Sequence, residues 1–226
     1  MSLIEAILLG IVQGLTEFIP VSSSGHLVLS QELFGISGGG LQFDVALHIG
    51  TLLALFVYFS RDLVSVTRGL FQGGDQARLG KLLLYATVPA ALIGYLLQDL
   101  AESSFRSVYI VLFNLAFVGL IMLFVEHQAA KKPPQTEVGE LTRKQAIAIG
   151  LAQAAALVPG VSRSGATITF GLMLGMTRVA ATRFSFLLAI PITVGATAKV
   201  VLIDRQLIVG GGDTLVMLAG IIAAFG

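Results

Sequence analysis

Gln13-Gly14-Leu15-Thr16-Glu17-Phe18-Ile19-Pro20-Val21-Ser22-Ser23-Ser24-Gly25-His26 has apolar sequence on both sides. A carboxylate, three hydroxyls and an imidazole therefore fall where the chain is otherwise suited to lipid. Ionisable groups at that depth cost roughly a few kcal/mol each, which marks them as functional candidates. Leu3 to Ile19 is helix-compatible, but Pro20 ends it and holds Ile19 extended. Ser22 to Gly25 supplies a turn and a good helix N-cap, and Leu27 to Phe34 is apolar again but short. Two half-length segments around a Pro-Ser-Gly break predict a re-entrant helical hairpin. Broken backbone at membrane depth is tolerated where it is packed in protein or lines a wet cavity.

The stretch has an echo, Pro159-Gly160-Val161-Ser162-Arg163-Ser164-Gly165-Ala166-Thr167, between the half-helices Ala146 to Val158 and Thr167 to Leu174. Gly10, Gln13, Val21, Ser22, Ser24 and Gly25 align without gaps with Gly150, Gln153, Val161, Ser162, Ser164 and Gly165 at an offset of 140. Pro20 and Pro159 are one place out of register. Farther on, Phe43-Asp44 faces Phe184-Ser185 at an offset of 141. Small-residue packing motifs recurring by chance are the competing explanation, and identity at six aligned positions weighs against it. An odd number of spans, three, separates the hairpins, so the two halves must be inverted. Inverted repeats with broken helices place a shared site near the midplane, with helix N-termini aimed at an anion.

The rest of the chain fits a membrane. Of 226 residues, 55% are hydrophobic and 12% charged, with a mean hydropathy of +0.90. A soluble domain of this length needs more charge to cover its surface. Apolar spans are expected at Phe43 to Phe59, Leu82 to Leu97 (kinked at Pro89), Val108 to Val125 and Phe184 to Ile203. Loops are expected at Ile36 to Gly40, 60–81, Asp99 to Arg106, Glu126 to Thr142 and Asp204 to Asp213. Alternating strands of the barrel type are absent. The expected fold is an all-α polytopic membrane protein, one transmembrane domain over 1–226, with repeat 1 at about 3–125 and repeat 2 at about 143–226. The last apolar run starts at Thr214 and is too short to span, so a C-terminal part is expected to be missing. No cleaved signal peptide is read at the N-terminus. Loops 60–81 and 126–144 carry four Lys or Arg each, against one each in 99–107 and 204–213. The positive-inside rule puts the first two in the cytoplasm.

Composition also excludes chemistry. Without cysteine there is no disulfide, thiolate metal site or thiol nucleophile. A net charge of +1 with no basic block gives no footing for nucleic acid. What remains is anion chemistry. Gln13 and Glu17 share a helical face. Arg163, flanked by Ser162 and Ser164, offers a planar fork for a phosphate; pairing with Glu17 is its structural alternative. Ser22 and Ser24 align with Ser162 and Ser164 as scaffolding or phosphate donors, and Ser23 aligns with Arg163. His26, a turn beyond Ser23, could act as base, acid or nucleophile, or be a satisfied core histidine. Asp44 and His48 are expected to line the mouth or pair structurally. Lys199 is expected to snorkel, and Asn114 to bond between helices.

At these residues the chain resembles the bacterial undecaprenyl-diphosphatases of the bacitracin-resistance type. Gln13-Gly14-Leu15-Thr16-Glu17 is similar to that family's (E/Q)xxxE motif, which continues through His26. Pro159 to Ile168 is similar to its second signature. The likeness extends over the whole chain and departs at the end, where family members continue through another span. It implies a multi-pass enzyme of the bacterial inner membrane, its active site facing the periplasm. Such an enzyme converts undecaprenyl diphosphate to the monophosphate carrier of peptidoglycan synthesis and so confers bacitracin resistance. It implies catalytic roles for Glu17, Ser23, His26 and Arg163, and substrate contacts from Gln13, Ser22, Ser24, Ser162, Ser164 and Thr167. It also implies a divalent cation, Mg2+ or Ca2+, at Glu17. Gln13 is an amide where many members carry an acid, so only one carboxylate is available there. Partners are the polyprenyl diphosphate and membrane lipids; homo-oligomerisation, and the choice of Ser23, His26 or water as nucleophile, stay open. A flippase of a phosphorylated polyprenyl lipid and a structural scaffold are the rival classes.

Overall fold

The computed structural model describes residues 1–37, 40–105, 107–131, 136–200 and 214–226. Among them are ten α-helices: α1 (Leu3–Glu17), α2 (Ser23–Leu33), α3 (Gly40–Tyr58), α4 (Ser60–Gln72), α5 (Gly74–Ser104), α6 (Val108–Ala129), α7 (Arg143–Ala155), α8 (Arg163–Met173), α9 (Arg178–Ala198) and α10 (Thr214–Phe225). This is an all-helical polytopic membrane protein. Segments Gly74–Leu97, Val108–Ala129 and Arg178–Ala198 are long and apolar enough to cross a membrane, and α3 with α4 forms a pair bent by 75°. On α6 the apolar side chains Tyr109, Phe113, Leu120 and Leu123 face outward, as lipid-facing residues do.

Both breaks form where the sequence places them. Ser2 and Thr142 close capping boxes at the starts of α1 and α7. α1 ends at Glu17, before Pro20, and α7 ends at Ala155, before Pro159.

Several connections differ from expectation. The predicted loop 60–81 is helical. Its Leu63, Val66 and Gly69 form one inward face with polar residues opposite, so the segment makes the amphipathic α4 rather than coil. Asp62 in the first turn of α4 pairs with Arg183 of α9. The predicted turn at Asp99 to Arg106 is, through Ser104, the end of α5. No Gly or Pro lies between Tyr95 and Phe105 to stop it. Pro89 lies inside α5 without ending it. α6 runs on to Ala129, into the predicted loop Glu126 to Thr142. Farther along that loop, Val138–Glu140 forms a 3-10 turn. The expected loop Asp204 to Asp213 and the end of the Phe184 to Ile203 span lie outside the described residues.

Two apolar clusters hold the helices together. One joins Ala6, Leu9, Leu27, Phe43, Leu47 and Ala224, from α1, α2, α3 and α10. The larger joins α3, α5, α7 and α9 through residues such as Leu52, Leu83, Ala86, Ile149, Phe184 and Leu188. Helices come closest where glycine allows it. A Cβ on Gly10 of α1 would lie 2.5 Å from the Gly220 carbonyl oxygen of α10, and one on Gly150 of α7 would strike the Ala86 carbonyl of α5. These aligned glycines let backbones approach as small residues do in lipid. α1 thus rests on α10 and α7 on α5, while α3 and α9 pack together between them.

Candidate active site

The two breaks have the same local structure. Ser22 (φ 65°) and Ser162 (φ 54°) are the non-glycine residues with positive φ among those described. Such conformations cost about 1–3 kcal/mol and persist where the surroundings impose them. Each serine caps the helix it precedes, accepting from Gly25 N at 3.4 Å and from Gly165 N at 3.0 Å. Each hydroxyl also lies 3.4 Å from that of the serine two residues on, Ser24 or Ser164. The breaks are tied to each other, since Ser164 Oγ donates to the Ile19 carbonyl at 3.3 Å. Asn114 Nδ2 of α6 donates to the Pro159 carbonyl at 2.9 Å, the interhelical bond expected of it.

These ties bring the N-terminal turns of α2 and α8 to the C-terminal end of α1. Glu17 is buried there, 7% exposed. Arg163 Nη2 donates to Glu17 Oε1, and Arg163 Nη1 donates to Thr193 Oγ1 on α9 at 3.3 Å. Ser23 Oγ donates to Glu17 Oε2 at 2.5 Å, and Gln13 Nε2 donates to the same oxygen at 2.9 Å. His48 Nε2 of α3 stands 3.6 Å from it, while His48 Nδ1 lies 2.7 Å from the Asp44 carbonyl. Gln31 Nε2 donates to the Asp44 carboxylate at 2.9 Å. The carboxylate is thus enclosed by an amide, a hydroxyl, a guanidinium and an imidazole. A buried ion pair supplied with such extra hydrogen bonds repays its desolvation, and removing one partner strands the other charge.

A cavity of about 690 Å³ opens onto this cluster. Of the residues singled out in the sequence, Glu17, Ser22, Ser23, Ser24, Ser162, Arg163 and Ser164 line it, joined by Asp44, His48, Gln153 and Thr193. Its remaining wall is mostly apolar, from the Ala90–Tyr95 face of α5, the end of α7 and the Pro191–Val200 stretch. Gln13, His26 and Thr167 are not among its lining residues. Gln13 stands behind Glu17. His26 Nδ1 lies 2.9 Å from the Ser22 carbonyl, one turn back on its own helix. Thr167 Oγ1 is engaged with the Arg163 and Ser164 carbonyls and, at 2.6 Å, with Ser185 Oγ. Ser23 therefore meets Glu17, where the sequence spacing offered His26. Lys199, expected to snorkel, lines the cavity.

Sequence reasoning missed Thr193, Ser185 and the contact of His48 with Glu17. Ser185 had a signal, its alignment with Asp44 across the repeat. Thr193 had none that set it apart from other threonines of α9.

The arrangement can hold an oxyanion and deprotonate a hydroxyl beside it. Two helix N-termini and a guanidinium face the place where negative charge would gather. For a hard divalent cation the protein oxygens are few. Among the described residues no group of three His, Asp or Glu gathers. The buried Gln13 Oε1 is without a hydrogen-bond partner among them, however, and sits on the face of α1 that carries Glu17. Gln13 does not line the cavity, so a divalent cation there would meet the Glu17 carboxylate and take its other oxygens from phosphate and water.

The chain has clear relatives among known proteins. Residues 6–226 match the family described as bacitracin resistance protein BacA. An undecaprenyl-diphosphatase of Rubrobacter xylanophilus is 54% identical over 206 residues, covering 87% of this chain and 75% of the relative. Undecaprenyl-diphosphatase 1 of Pseudoalteromonas translucida is 45% identical over 198 residues, covering 85% and 73%. An undecaprenyl-diphosphatase of Saccharophagus degradans is 46% identical over 197 residues, covering 85% and 73%. With the match running from the first helix to the last, the chain belongs to the bacitracin resistance protein BacA family.

Proposed function

We propose that this protein hydrolyses undecaprenyl diphosphate to undecaprenyl phosphate and inorganic phosphate. The relatives' names supply the substrate. The observation that carries the chemistry is the Ser23 hydroxyl donating to Glu17 at 2.5 Å, beside Arg163 on the wall of the cavity.

In this reading the diphosphate head enters the cavity with its isoprenoid tail along the apolar wall. Arg163, Ser162 and Ser164, with the first N–H groups of α8, hold phosphate oxygens. Ser22 and Ser24 do the same from the other break. Ser23 Oγ attacks the terminal phosphorus as its proton passes to Glu17 Oε2. The bond from that phosphorus to the bridging oxygen breaks, and undecaprenyl phosphate leaves with the electron pair. Glu17 gives that proton to the departing undecaprenyl phosphate; water then attacks the phosphoserine as Glu17 takes its proton, and the Ser23 oxygen leaves phosphorus with that proton, releasing inorganic phosphate. His26 fixes the Ser22 carbonyl and so the first turn of α2. Glu17 would hold Mg2+ or Ca2+, whose charge offsets that of the phosphates when bound.

The architecture goes with this site. The matched breaks, the aligned glycines and the reciprocal packing of α1 on α10 and α7 on α5 support two inverted repeats with re-entrant hairpins. The placement is the bacterial inner membrane, with the cavity open to the periplasm, where released carrier returns. The test is phosphate release from purified protein and a C55 diphosphate, with and without EDTA. Release that needs a divalent cation and is lost in Ser23→Ala supports the reading. Release unchanged in Ser23→Ala removes the serine route, and no release from the wild type removes the activity.

A further inference from the structure

Gln153 occupies on α7 the position that Gln13 occupies on α1. Gln13 spends its amide on the carboxylate four residues on, Glu17. Four residues after Gln153 stands Leu157, which offers no acceptor. The consequence is visible in the structure. Gln153 is 4% exposed, and neither Oε1 nor Nε2 has a hydrogen-bond partner among the described residues. A buried polar group left unmade costs about 1–3 kcal/mol, so an amide with both ends unmade is a debt that a purely structural residue would not keep. Leucine at this position would remove it.

The surroundings indicate what the amide is for. Gln153 lines the same cavity as Arg163, and so do the apolar Ala90, Gly94 and Leu157. A lipid diphosphate crosses from charge to hydrocarbon at its lipid-side phosphate. That half of the cavity has Leu157 where the reactive half has Glu17, so an anion placed there meets no carboxylate from the break.

We propose that Gln153 binds the lipid-side phosphate of the substrate. Its Nε2 donates to a non-bridging phosphate oxygen, and Oε1 accepts from a phosphate-bound water. The terminal torsion of glutamine is broad, so turning the amide toward the cavity costs little. The pairing gives the head a direction. The phosphate beside Glu17 and Ser23 reacts, and the one beside Gln153 and Leu157 stays on the lipid. This deepens the proposed function and rests on it.

The test is made on the full chain in detergent with two readouts. One is steady-state phosphate release from a C55 diphosphate. The other is binding of a polyprenyl methylenediphosphonate, which cannot be hydrolysed, and of the corresponding monophosphonate. Gln153→Leu and Gln153→Met are compared with wild type. Both variants are expected to raise KM, and Kd for both phosphonates, about tenfold, while kcat falls less. Their melting temperature is expected to hold or rise, since an unpaired amide is replaced by an apolar group of similar size. A Kd and KM within twofold of wild type in either folded variant overturns the proposal, as does weakened binding of the diphosphonate but not the monophosphonate. Wild type that binds the diphosphonate with this Gln153 dependence yet releases no phosphate overturns the hydrolysis reading alone. Wild type that binds neither overturns both.

Discussion

The two breaks share a backbone, and three of the side chains in which they differ bear on the chemistry. At 17–26 the chain offers Glu17, Ser23 and His26; the aligned residues are Leu157, Arg163 and Ala166. Both breaks keep the capping serine at positive φ and the same first helical turn. In the proposed function, the matched breaks supply two positive helix ends around one cavity, and the residues in which they differ supply the chemistry. The proposal makes one the reacting half, with acid and hydroxyl, and the other the holding half, with guanidinium and amide. A site made of two identical halves could not tell one phosphorus of a diphosphate from the other.

The largest expected effects lie in the reacting half. Ser23→Ala should lower phosphate release by about 10³-fold or more, as loss of a nucleophile does, and destabilise the fold by about 1.5–3 kcal/mol through the lost bond to Glu17. Mass spectrometry of quenched wild type should find phosphate on Ser23. Glu17→Gln should cost about 10²–10⁴-fold in turnover, the range for a lost general base. It also strands Arg163, so it should destabilise the fold by roughly 3–5 kcal/mol. Arg163→Ala, in the holding half, should cost roughly 10²–10³-fold in rate and a similar amount of stability. Combining Glu17→Gln with Arg163→Met should recover much of the stability and none of the activity. Unfolding of the double variant at or below the less stable single would break the assignment of the pair as mutually dependent charges.

Those residues were legible from the chain alone because they break its pattern. A carboxylate and a guanidinium in apolar sequence stand out, and the gapless offset of 140 shows that their breaks correspond. What joins them was less legible. His48 was visible only as the partner of Asp44 along α3, because its 3.6 Å approach to Glu17 depends on how α3 crosses α1. His26 was placed with Ser23 by helical spacing, yet its ring turns back to the Ser22 carbonyl. The stretch 60–81 misled for a different reason. Positive charge makes such a segment look like solvated coil, whereas its Val66 and Gly69 sit one turn apart on the buried face of a helix. Charge count reads secondary structure poorly.

A smaller effect tests the holding half. Leu157→Gln would give Gln153 a neutral partner at the spacing Gln13 has with Glu17. Satisfying the amide from the residue just past the end of α7 removes it from the ligand. KM should then rise about fivefold, the worth of roughly 1 kcal/mol of hydrogen bonding, with kcat nearly unchanged. Steady-state kinetics showing the reverse split, kcat down and KM constant, would place Leu157 in the reacting half and undo the contrast.

The smallest effects concern what the halves have in common. Ser22 and Ser162 each carry positive φ, and the side-chain oxygen of each accepts the capping hydrogen bond. Glycine at either site relieves the backbone, at about 0.5–1 kcal/mol of added chain entropy, and costs only a few tenths as a cap. Alanine keeps the strain and forfeits the cap, about 1 kcal/mol. At both positions thermal unfolding should therefore rank wild type and glycine close together, with alanine below. Because the two breaks bury their caps alike, the gap between glycine and alanine should be of similar size at 22 and 162. A gap at one break and none at the other would mean that only one serine is held under strain. The shared backbone would then be a resemblance of shape without a shared energetic cause.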